Sequence, residues 1–505
     1  MHIMSYVFFV DNYPHYCDIP SLEMSGWTSE QIRNISLPKM QSPHEYGCEY
    51  YNYNYSFLST MSFEEAFNYV HSLRKVPELM PCRKHKYENT DSVVSEWNLV
   101  CDRYYYRTHI QSAYALGKFF GASFFGVLAD KYGRRSSFSL AASCFAISAA
   151  LAAFCDYFYL FLCIRFLIGF GAVGCYGTAY TLLSELHVGS SKTLVCCAFN
   201  ISYAIGMIIL VALAYYIRFW KTLLIAMSIP TLILPSFYWF LPESPQWLLS
   251  QKRSEDAWKM LHRLDPSITP FLNSPKIVRQ TSAENTTKAV SPKRFKPFIK
   301  FAALFSTSTL AIRTLICFFV WFAVSAMYYG LAFNGDNLTV NQYTYIAING
   351  VLEIFSYLSP VLLLNLFGRK GASLLLFTLT GFLLLSIMFI SKDLGIVILI
   401  IALLGRFFAT SAYVIFALFT SELFPTVIRN TAIGASLTMS HVGTFISPYI
   451  VDILGAYRWY IPSTIFGLFS IMSIFFVCFL PETKNKPSYN NIEEMVSSNE
   501  SRLTS

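Results

Sequence analysis

The chain has 505 residues, of which 54% are apolar and only 13% are charged, and its formal net charge is +8. A soluble domain carries about 25% charged residues, so this composition excludes a large soluble enzyme. A disordered chain is also excluded, because disorder needs low hydrophobicity and high charge. The apolar residues lie in blocks of roughly 20, the length that crosses a hydrocarbon layer of ~30 Å. The composition therefore predicts an all-α polytopic membrane protein.

The apolar blocks predict eleven membrane-spanning helices, five before a charged central loop and six after it. The first five lie at 108–129, 137–155, 158–181, 193–216 and 221–241. The other six lie at 309–331, 343–365, 371–390, 395–419, 431–453 and 459–480. The chain then divides into a short apolar stretch at 1–10, a large polar loop at 11–107, a first bundle at 108–241, a central loop at 242–300, a second bundle at 301–483 and a tail at 484–505. The central loop opens with a predicted amphipathic helix from Ser254 to Leu264.

The polar loop at 11–107 contains four of the twelve cysteines, namely Cys17, Cys48, Cys82 and Cys101. Four cysteines allow three disulfide pairings, and the sequence leaves all three open. Cysteines gathered in one polar segment are typical of an oxidising, extracellular environment. A zinc site is disfavoured, because the spacings of 31, 34 and 19 residues differ from CxxC-type ligation. We therefore expect disulfides and no metal in this loop.

The basic residues predict the orientation of the chain in the membrane. The central loop has eleven Lys or Arg against five Asp or Glu, whereas the polar loop has nine basic and thirteen acidic residues. The positive-inside rule places the central loop and the tail in the cytoplasm and the polar loop outside. Sequons predict glycosylation at Asn34, Asn54 and Asn337, and the two in the polar loop agree with this orientation. Because the positive charge is distributed by topology, it does not indicate nucleic-acid binding.

Short charged segments occur twice, at matching places in the two bundles. The pairs are Gly133-Arg134-Arg135 with Gly368-Arg369-Lys370, Arg165-Phe166 with Arg406-Phe407, Glu185 with Glu422, and Pro242-Glu243-Ser244 with Pro481-Glu482-Thr483. Duplicated halves joined by a loop are typical of transporters with a central site between two units that move against each other.

Residues 126–135 read Gly-Val-Leu-Ala-Asp-Lys-Tyr-Gly-Arg-Arg. This segment resembles the G-x-L-A-D-x-x-G-R-R signature of the major facilitator superfamily at every fixed position. The resemblance implies a fold of two pseudo-symmetric helical bundles. It also implies a charge clamp of Asp130 and the arginines near the cytoplasmic surface, which breaks when the inner side opens.

Three further segments resemble the organic cation/anion/carnitine transporter family, also called solute carrier family 22. They are the residues from Glu96 to Cys101 (EWNLVC), from Pro242 to Leu249 (PESPQWLL) and from Glu422 to Asn430 (ELFPTVIRN). The resemblance covers the chain from about Cys17 to Thr483. It implies transport of a small organic ion, an organic cation or a carnitine-like zwitterion, across the plasma membrane by alternating access. An organic anion exchanger is the alternative within the family.

The chain departs from the family at its front. The family has twelve spans, the first of which precedes the large loop, and here that span is reduced to residues 1–10. Either the chain as given begins inside the first helix, which we expect, or the protein lacks that helix. The partners that the resemblance implies are the organic solute, the lipid bilayer and a coupling ion, Na⁺ or H⁺, and it implies no cofactor.

Ionisable residues in the middle of a span are costly and are functional by default. Those at or near mid-depth are Lys118, Arg165, Glu353, Arg406 and His441. For Arg165 and Arg406 we expect an internal ion-pair network. Glu353 either neutralises a buried base or attracts a cation. Lys118 is the sharpest indication of an anionic or zwitterionic substrate, unless it pairs with Glu353 or extends to the interface.

His441 stands where, by the resemblance, cation carriers often have an acid and anion carriers an arginine. It is either a polar histidine packed between helices or a pH-sensitive residue of the site. Aromatic rings offer their faces to organic cations, although on membrane helices they more often serve packing or interface belts. The full set of predicted cavity residues is Lys118, Tyr176, Trp321, Tyr328, Tyr329, Glu353, Tyr413, Phe416 and His441.

A second set of charges is predicted to act in gating. Plain positive-inside topology suffices for Arg135 but not for acids that are repeated in both halves. The predicted gating and clamp residues are Asp130, Arg134, Arg135, Arg165, Glu185, Glu243, Arg406, Glu422 and Arg429.

Other functional classes have little support in the sequence. There is no GxxxxGK[ST] loop for a nucleotide-driven pump, no HExxH metal site and no GxSxG nucleophile. We therefore predict that the protein is not an enzyme. A non-transporting sensor or binding protein with the same fold is the alternative from another class, and a sugar carrier of the same superfamily is disfavoured by the large cysteine-bearing loop.

Overall fold

The computed structural model describes residues 1–10, 15–23, 25–38, 47–73, 77–187, 189–251, 253–264, 301–338 and 341–484. We number its ten long helices α1 to α10 and give the short ones by their bounds. The first half contains α1 (Tyr106–Tyr132), α2 (Arg134–Ala152), α3 (Phe158–Leu186), α4 (Gly189–Tyr216) and α5 (Trp220–Ile233). The second half contains α6 (Ser308–Phe333), α7 (Gln342–Ser386), α8 (Gly395–Leu423), α9 (Thr426–Pro448) and α10 (Ile461–Cys478).

Nine helices in the described part are long and apolar enough to cross a membrane, fewer than the eleven predicted spans. The two predicted spans outside this set are nevertheless helical: 343–365 lies within α7, and 431–453 lies in α9 and the π-helical turn that follows it at Tyr449–Leu454. Both carry polar groups at intervals, among them Asn349 and Glu353 in α7 and His441 in α9. Their side chains are therefore suited to the interior of a bundle rather than to lipid.

The two halves have the same internal arrangement. In the first half α1 packs along α3, and in the second α7 packs along α8. The α1–α2 junction lies at Gly133, whose φ is 98°, and the matching break inside α7 lies at Gly368, whose φ is 74°. Glycine is favoured at both breaks because a side chain disfavours positive φ. The sequence repeat is therefore a repeat of structure.

The polar loop folds into a small subdomain at one end of the bundles, which we call the loop end. Strand β1 (His15–Cys17) pairs antiparallel with β4 (His85–Tyr87), and β2 (Glu49–Tyr51) pairs antiparallel with β3 (Leu79–Pro81). The short helices of this region are Pro20–Glu23, Ser29–Ser36, Tyr55–Leu58, Phe63–Ser72 and Val93–Glu96, with a 3₁₀ turn at Cys101–Arg103. Disulfides join Cys17 to Cys82 and Cys48 to Cys101, which is one of the three pairings that the sequence left open.

The remaining short elements follow the chain. They are Phe237–Phe240, Pro245–Ser250, Ser254–Leu264 and Gly455–Tyr457, 3₁₀ turns at Leu234–Ser236, Asp336–Leu338 and Ile387–Phe389, and a π-helical turn at Tyr449–Leu454. The helix at Ser254–Leu264 has the bounds predicted from its amphipathic pattern. The rest of the predicted central loop, at 265–300, and the tail from 485 onward lie outside the described residues.

The polar loop is anchored to the first half through a charged and aromatic contact. The Lys221 ammonium lies 2.6 Å from a carboxylate oxygen of Glu96, and the indole N–H of Trp220 donates to the other oxygen at 2.8 Å. The indole N–H of Trp97 donates to the Asp156 carbonyl at 3.0 Å. These bonds attach Glu96 to α5 and Trp97 to the turn between α2 and α3. The segment from Glu96 to Cys101, one of those that resemble the family, therefore forms the base of the subdomain.

The two halves contact each other at the loop end. The Thr108 hydroxyl on α1 donates to the Asp452 carboxylate at 3.2 Å, and the Ser112 hydroxyl donates to the Phe445 carbonyl at 3.2 Å. The segment Tyr6–Phe9 is helical and packed in the same core, and the Tyr6 hydroxyl also donates to Asp452. Residues 1–10, which the sequence marked as part of a first span, therefore lie between the halves.

Candidate functional site

The first candidate region lies at the end of the bundles opposite the disulfides, which we call the clamp end. Arg134 donates two hydrogen bonds of 3.0 Å to the Glu185 carboxylate and lies 3.1 Å from Asp130. Glu243 accepts hydrogen bonds from the backbone N–H groups of Arg134 (2.8 Å) and Arg135 (3.3 Å). A side chain in place of Gly133 would collide with the Glu243 carboxylate. The four charges thus hold the α1–α2 junction against α3 and the segment after α5.

The second half contains the same arrangement. Arg369 donates to the Glu422 carboxylate at 3.0–3.2 Å. Glu482 accepts from the backbone N–H groups of Arg369 and Lys370, both at 3.0 Å, and its carboxylate lies against Gly368. The repeat of Pro242-Glu243-Ser244 by Pro481-Glu482-Thr483 indicated this position in the sequence, but Glu482 and Arg369 were absent from the predicted clamp residues. The Arg–Glu pair and the glutamate that binds backbone N–H groups are therefore duplicated, whereas the position of Asp130 is occupied by Asn365 in the second half.

The Glu482 carboxylate is held in its charged form. Partial burial would raise its pKa, but hydrogen bonds from the backbone N–H groups of Lys484, Arg369, Thr483 and Lys370 lower it by more. The net result is a pKa below the ordinary 4.5 of a glutamate.

In the described part of the chain, Asp130, Arg135 and Arg429 have no ion pair with the opposite half. The Asp130 side chain is 79% exposed, and among the described residues its ion pair is with Arg134, one turn along the chain. The Arg135 guanidinium lies 4.2 Å over the Tyr238 ring and donates to the Tyr238 carbonyl. In the described part of the chain, the buried Nε of Arg429 has no hydrogen-bond partner. An exposed acid on α1 and an arginine on α9 whose Nε is unsatisfied among the described residues therefore lie at the clamp end.

The second candidate region lies in the middle of the second half and is built around Glu353 on α7. Its carboxylate lies 3.6 Å from the Arg406 guanidinium on α8 and accepts hydrogen bonds from the hydroxyls of Tyr328 and Tyr357, the latter at 3.0 Å. Arg406 also donates to the Tyr328 carbonyl at 3.3 Å and lies 5.3 Å over the Tyr328 ring. Of the two alternatives for Glu353, the geometry supports neutralisation of a buried base. Tyr357 was not predicted, although it lies one turn from Glu353 on the same helix.

Lys118 lies across the boundary from this cluster. Its ammonium donates to the Tyr329 hydroxyl at 3.0 Å and lies 4.7 Å over the Tyr329 ring. It does not make the ion pair with Glu353 that was considered from the sequence, since Glu353 pairs with Arg406. His441 is only 8% exposed and interacts electrostatically with Lys118. Its Nδ1 has no hydrogen-bond partner among the described residues.

The predicted aromatic residues fall into two groups. The rings of Tyr328 and Tyr329 lie 4.9 Å apart, and Tyr413 lies 5.7 Å from Tyr328 and 5.3 Å from Trp321. Phe416 packs 6.3 Å from Trp321. Tyr176 contacts the first half, where its hydroxyl donates to Asn200 at 2.8 Å and its ring packs on Phe199. Five of the six rings thus form one packed cluster, which contacts Lys118 through Tyr329.

Arg165 is buried apart from the other charges. Its guanidinium donates to the His2 carbonyl at 3.4 Å and to the Gln111 side chain at 3.3 Å, and lies over the rings of Phe9 and Tyr114. No carboxylate pairs with it in the described part of the chain. The expected ion-pair network is therefore present at Arg406 and replaced by neutral groups at Arg165.

The described residues contain no group of three or more His, Cys, Asp or Glu side chains that would hold a metal ion. Of the predicted glycosylation sites, Asn34 and Asn54 are exposed on the subdomain. The side-chain nitrogen of Asn337 instead donates to Asn334 and to the Val451 carbonyl, at 2.9 and 3.0 Å. Since a glycan attaches at that nitrogen, Asn337 is less suited to modification in this conformation.

The sequence is similar to those of known membrane transporters. The family model described as "Sugar (and other) transporter" matches residues 47–495. An organic cation transporter protein of Drosophila melanogaster is 29% identical over 98% of this chain and 88% of its own length. A beta-alanine transporter of the same species is 28% identical over 98% of this chain and 83% of its own. Mouse solute carrier family 22 member 21 is 30% identical over 80% and 71%.

The fold has a counterpart among solved structures. The xylose transporter from E. coli, in an inward-open conformation, matches with a TM-score of 0.60 at 16% identity over 98% of both chains. The fold and the duplicated clamp define a membrane transporter of the major facilitator type, not an enzyme. The chain belongs to the sugar (and other) transporter family and, within it, to the solute carrier family 22 group of organic cation and carnitine transporters. The family resemblance and the fold class inferred from the sequence are confirmed, but the number of eleven spans is not.

Proposed function

We propose that the protein carries small organic ions across the plasma membrane by alternating access, with a zwitterion as the preferred substrate. The observation that carries the proposal is the duplicated clamp at one end of two halves that contact each other at the opposite end. Two units with separate clamps and a charged boundary between them are suited to rocking about a central site. Membrane transport is the activity of the family; the substrate class and the mechanism are the proposal.

The proposed orientation places the clamp end in the cytoplasm and the loop end outside. Two disulfides at the loop end favour an oxidising compartment. The basic central loop follows the clamp end in the chain. With this orientation, the contacts of Thr108 and Tyr6 with Asp452 close the outer side. Among the described residues the exposed Asp130 has no ion pair with the opposite half, which is consistent with clamps that are separated on the cytoplasmic side.

The proposed substrate class follows from the groups at the boundary. Lys118 offers a cation to a carboxylate, and the neighbouring rings of Tyr329, Tyr413 and Trp321 offer faces to an ammonium group. A zwitterion satisfies both. One relative is named for β-alanine, which carries both charges.

A second candidate is exchange of organic anions. It is favoured by the excess of positive charge, because Lys118 and Arg165 have no carboxylate partner in the described part of the chain while Glu353 already neutralises Arg406. An organic cation without a carboxylate is less suited to the boundary, since it would face Lys118.

Uptake in cells that express the full chain tests the proposal. Labelled carnitine, β-alanine, propionate and tetraethylammonium represent the zwitterions, an anion and a cation, and each is measured with Na⁺ replaced and with an imposed pH gradient to identify a coupling ion. Zwitterion uptake above that of mock-transfected cells supports the proposal, and propionate uptake alone favours the anion exchanger. Saturable binding of a probe without any uptake would instead indicate a sensor with the transporter fold.

A further inference from the structure

Lys118 joins the two halves of the protein at mid-depth. It lies on α1 of the first half, whereas Tyr329, its hydrogen-bond acceptor, lies on α6 of the second. The bond of 3.0 Å is between a cation and a neutral hydroxyl, and the ring face at 4.7 Å adds a weaker attraction. Lys118 is therefore held by neutral groups of the opposite half.

The charges around Lys118 do not balance. Glu353 accepts two tyrosine hydroxyls at Oε1 and its Oε2 lies 3.6 Å from the Arg406 guanidinium, so its negative charge is already paired with Arg406. His441 lies within electrostatic range of Lys118 but brings no negative charge. A buried cation without a carboxylate carries a desolvation cost that a neutral hydroxyl offsets only in part. An incoming carboxylate would offset it further.

The position of Lys118 in the repeat also indicates that a carboxylate is missing from the first half. Lys118 stands fifteen residues before the break glycine Gly133, and Glu353 stands fifteen residues before the matching glycine Gly368. In the second half this position supplies the acid that pairs with Arg406. In the first half the same position is a base, and Arg165, the counterpart of Arg406, is left with neutral partners. The carboxylate that the repeat provides in one half is thus missing in the other.

We propose that Lys118 binds the carboxylate of the transported solute, and that this carboxylate replaces the Tyr329 hydroxyl as the acceptor. Binding then removes a hydrogen bond that joins the two halves, so that recognition of the solute and release of the halves are one event. The proposal rests on the proposed function, because it needs a solute that is transported. It adds the residue that selects the solute and a route from binding to movement.

The experiment compares carboxylates with their amides. The probes are β-alanine, carnitine and propionate, each paired with the amide in which a neutral group replaces the carboxylate. For each carboxylate that wild type transports, we expect the KM of the amide to be about 10- to 100-fold higher, the value of a charge-assisted hydrogen bond. Lys118→Met is expected to abolish this ratio, and Lys118→Arg to restore part of it. Lys131→Met, which removes an exposed lysine beside Tyr132 on the same helix, is the matched control and is expected to leave the ratio unchanged.

Tyr329→Phe separates the exchange from a structural role. It removes the competing hydroxyl and keeps the ring, so the KM for the carboxylate is expected to fall about 2- to 10-fold. A merely structural Tyr329 would raise the KM or leave it unchanged, and either result would overturn the exchange. A carboxylate-to-amide ratio that persists in Lys118→Met, measured by uptake or by the shift of the melting temperature of the purified variant, would overturn the role of Lys118.

The same measurements distinguish failure of the proposed transport function from failure of the proposed role of Lys118. If wild type transports no organic ion, the proposed function fails. If wild type transports a probe but shows no preference for the carboxylate over its amide, only the role of Lys118 fails. A preference for β-alanine over propionate supports a zwitterion at Lys118, and the reverse order supports an anion at the same residue.

Discussion

Glu482 gives the sharpest test of the duplicated clamp, because the structure assigns it a role through hydrogen bonds that are all to backbone. Its carboxylate accepts from Arg369, Thr483 and Lys484 with one oxygen and from Lys370 with the other, at 2.9–3.0 Å. Glu482→Gln keeps the size of the side chain and one acceptor oxygen, and it turns an NH₂ group toward one of the N–H donors. A hydrogen bond to a charged group contributes about 1.5–3 kcal/mol, and partial exposure of the clamp reduces this. We expect a loss of about 1–2 kcal/mol in the stability of the second half.

The assay is the melting temperature of purified protein in detergent, read in parallel for three variants. Glu243→Gln is the counterpart in the first half and is expected to cost a similar amount, since Glu243 accepts from Arg134, Arg135 and Ser244. Glu255→Gln, an exposed acid on the helix Ser254–Leu264, is the matched control and is expected to melt like wild type. If Glu482→Gln melts like wild type, the stabilising role of its hydrogen bonds is refuted, and if Glu243→Gln is destabilised in the same assay, the structural equivalence of the two clamps is refuted as well.

The pH dependence of the same measurement tests the cause. The pKa of Glu482 is lowered in the folded protein, so its stabilising contribution is present above the ordinary glutamate pKa of 4.5 and is lost as the pH falls through the lower folded value. The difference in melting temperature between wild type and Glu482→Gln is therefore expected at pH 6 and should shrink toward pH 3. A difference that stays constant over this range would show that shape rather than charge is responsible.

Three further changes test other contacts. Asp130→Arg is expected to abolish uptake while the protein still reaches the cell surface, because the clamp acid becomes a base. Glu255→Arg serves as its control, and normal uptake by Asp130→Arg would contradict a gating role for Asp130. Asp452→Ala removes the hydrogen-bond acceptor for Tyr6 and Thr108 at the loop end. A membrane-impermeant thiol reagent should then label a cysteine placed at Ser112 about 10-fold faster, and an unchanged labelling rate would argue against a closed loop end. The double variant Cys17→Ser, Cys82→Ser removes a disulfide between residues 65 positions apart. Proteolysis of the polar loop should accelerate because about 2–4 kcal/mol of stabilisation is lost, and equal protease resistance would contradict the pairing.

Much of the fold could be predicted because it depends on properties that the sequence shows directly. Apolar blocks and paired charged segments predicted two similar bundles, and the structure has helices at all eleven predicted positions. The number of helices that are apolar enough to cross a membrane was less predictable. The parts of α7 and α9 outside that set, around Glu353 and His441, carry polar side chains, so apolar length alone does not mark them as strongly as their neighbours.

The partners of the buried charges could not be predicted in the same way. Lys118 and Glu353 are at matching heights in their halves, so a direct ion pair was a reasonable expectation from the sequence. The choice between Tyr329 and Glu353 as the partner depends on the direction in which each side chain leaves its helix, and on Arg406 being closer to Glu353. The disulfide pairing was open for a similar reason, because it depends on which strands of the polar loop meet.

The comparison of the two halves separates residues that the repeat shares from residues that it does not. At the clamp end Arg134 and Arg369, with their carboxylate partners, have almost the same geometry. A movement that alternates between the two sides requires equivalent clamps in both halves, so we assign these shared residues to conformational change. At mid-depth the same positions are occupied by opposite charges, Lys118 and Glu353, and such asymmetry has no use in a symmetric movement. It does give the boundary a net positive charge that a solute carboxylate can neutralise, and for this reason we assign recognition to the residues at which the repeat is broken.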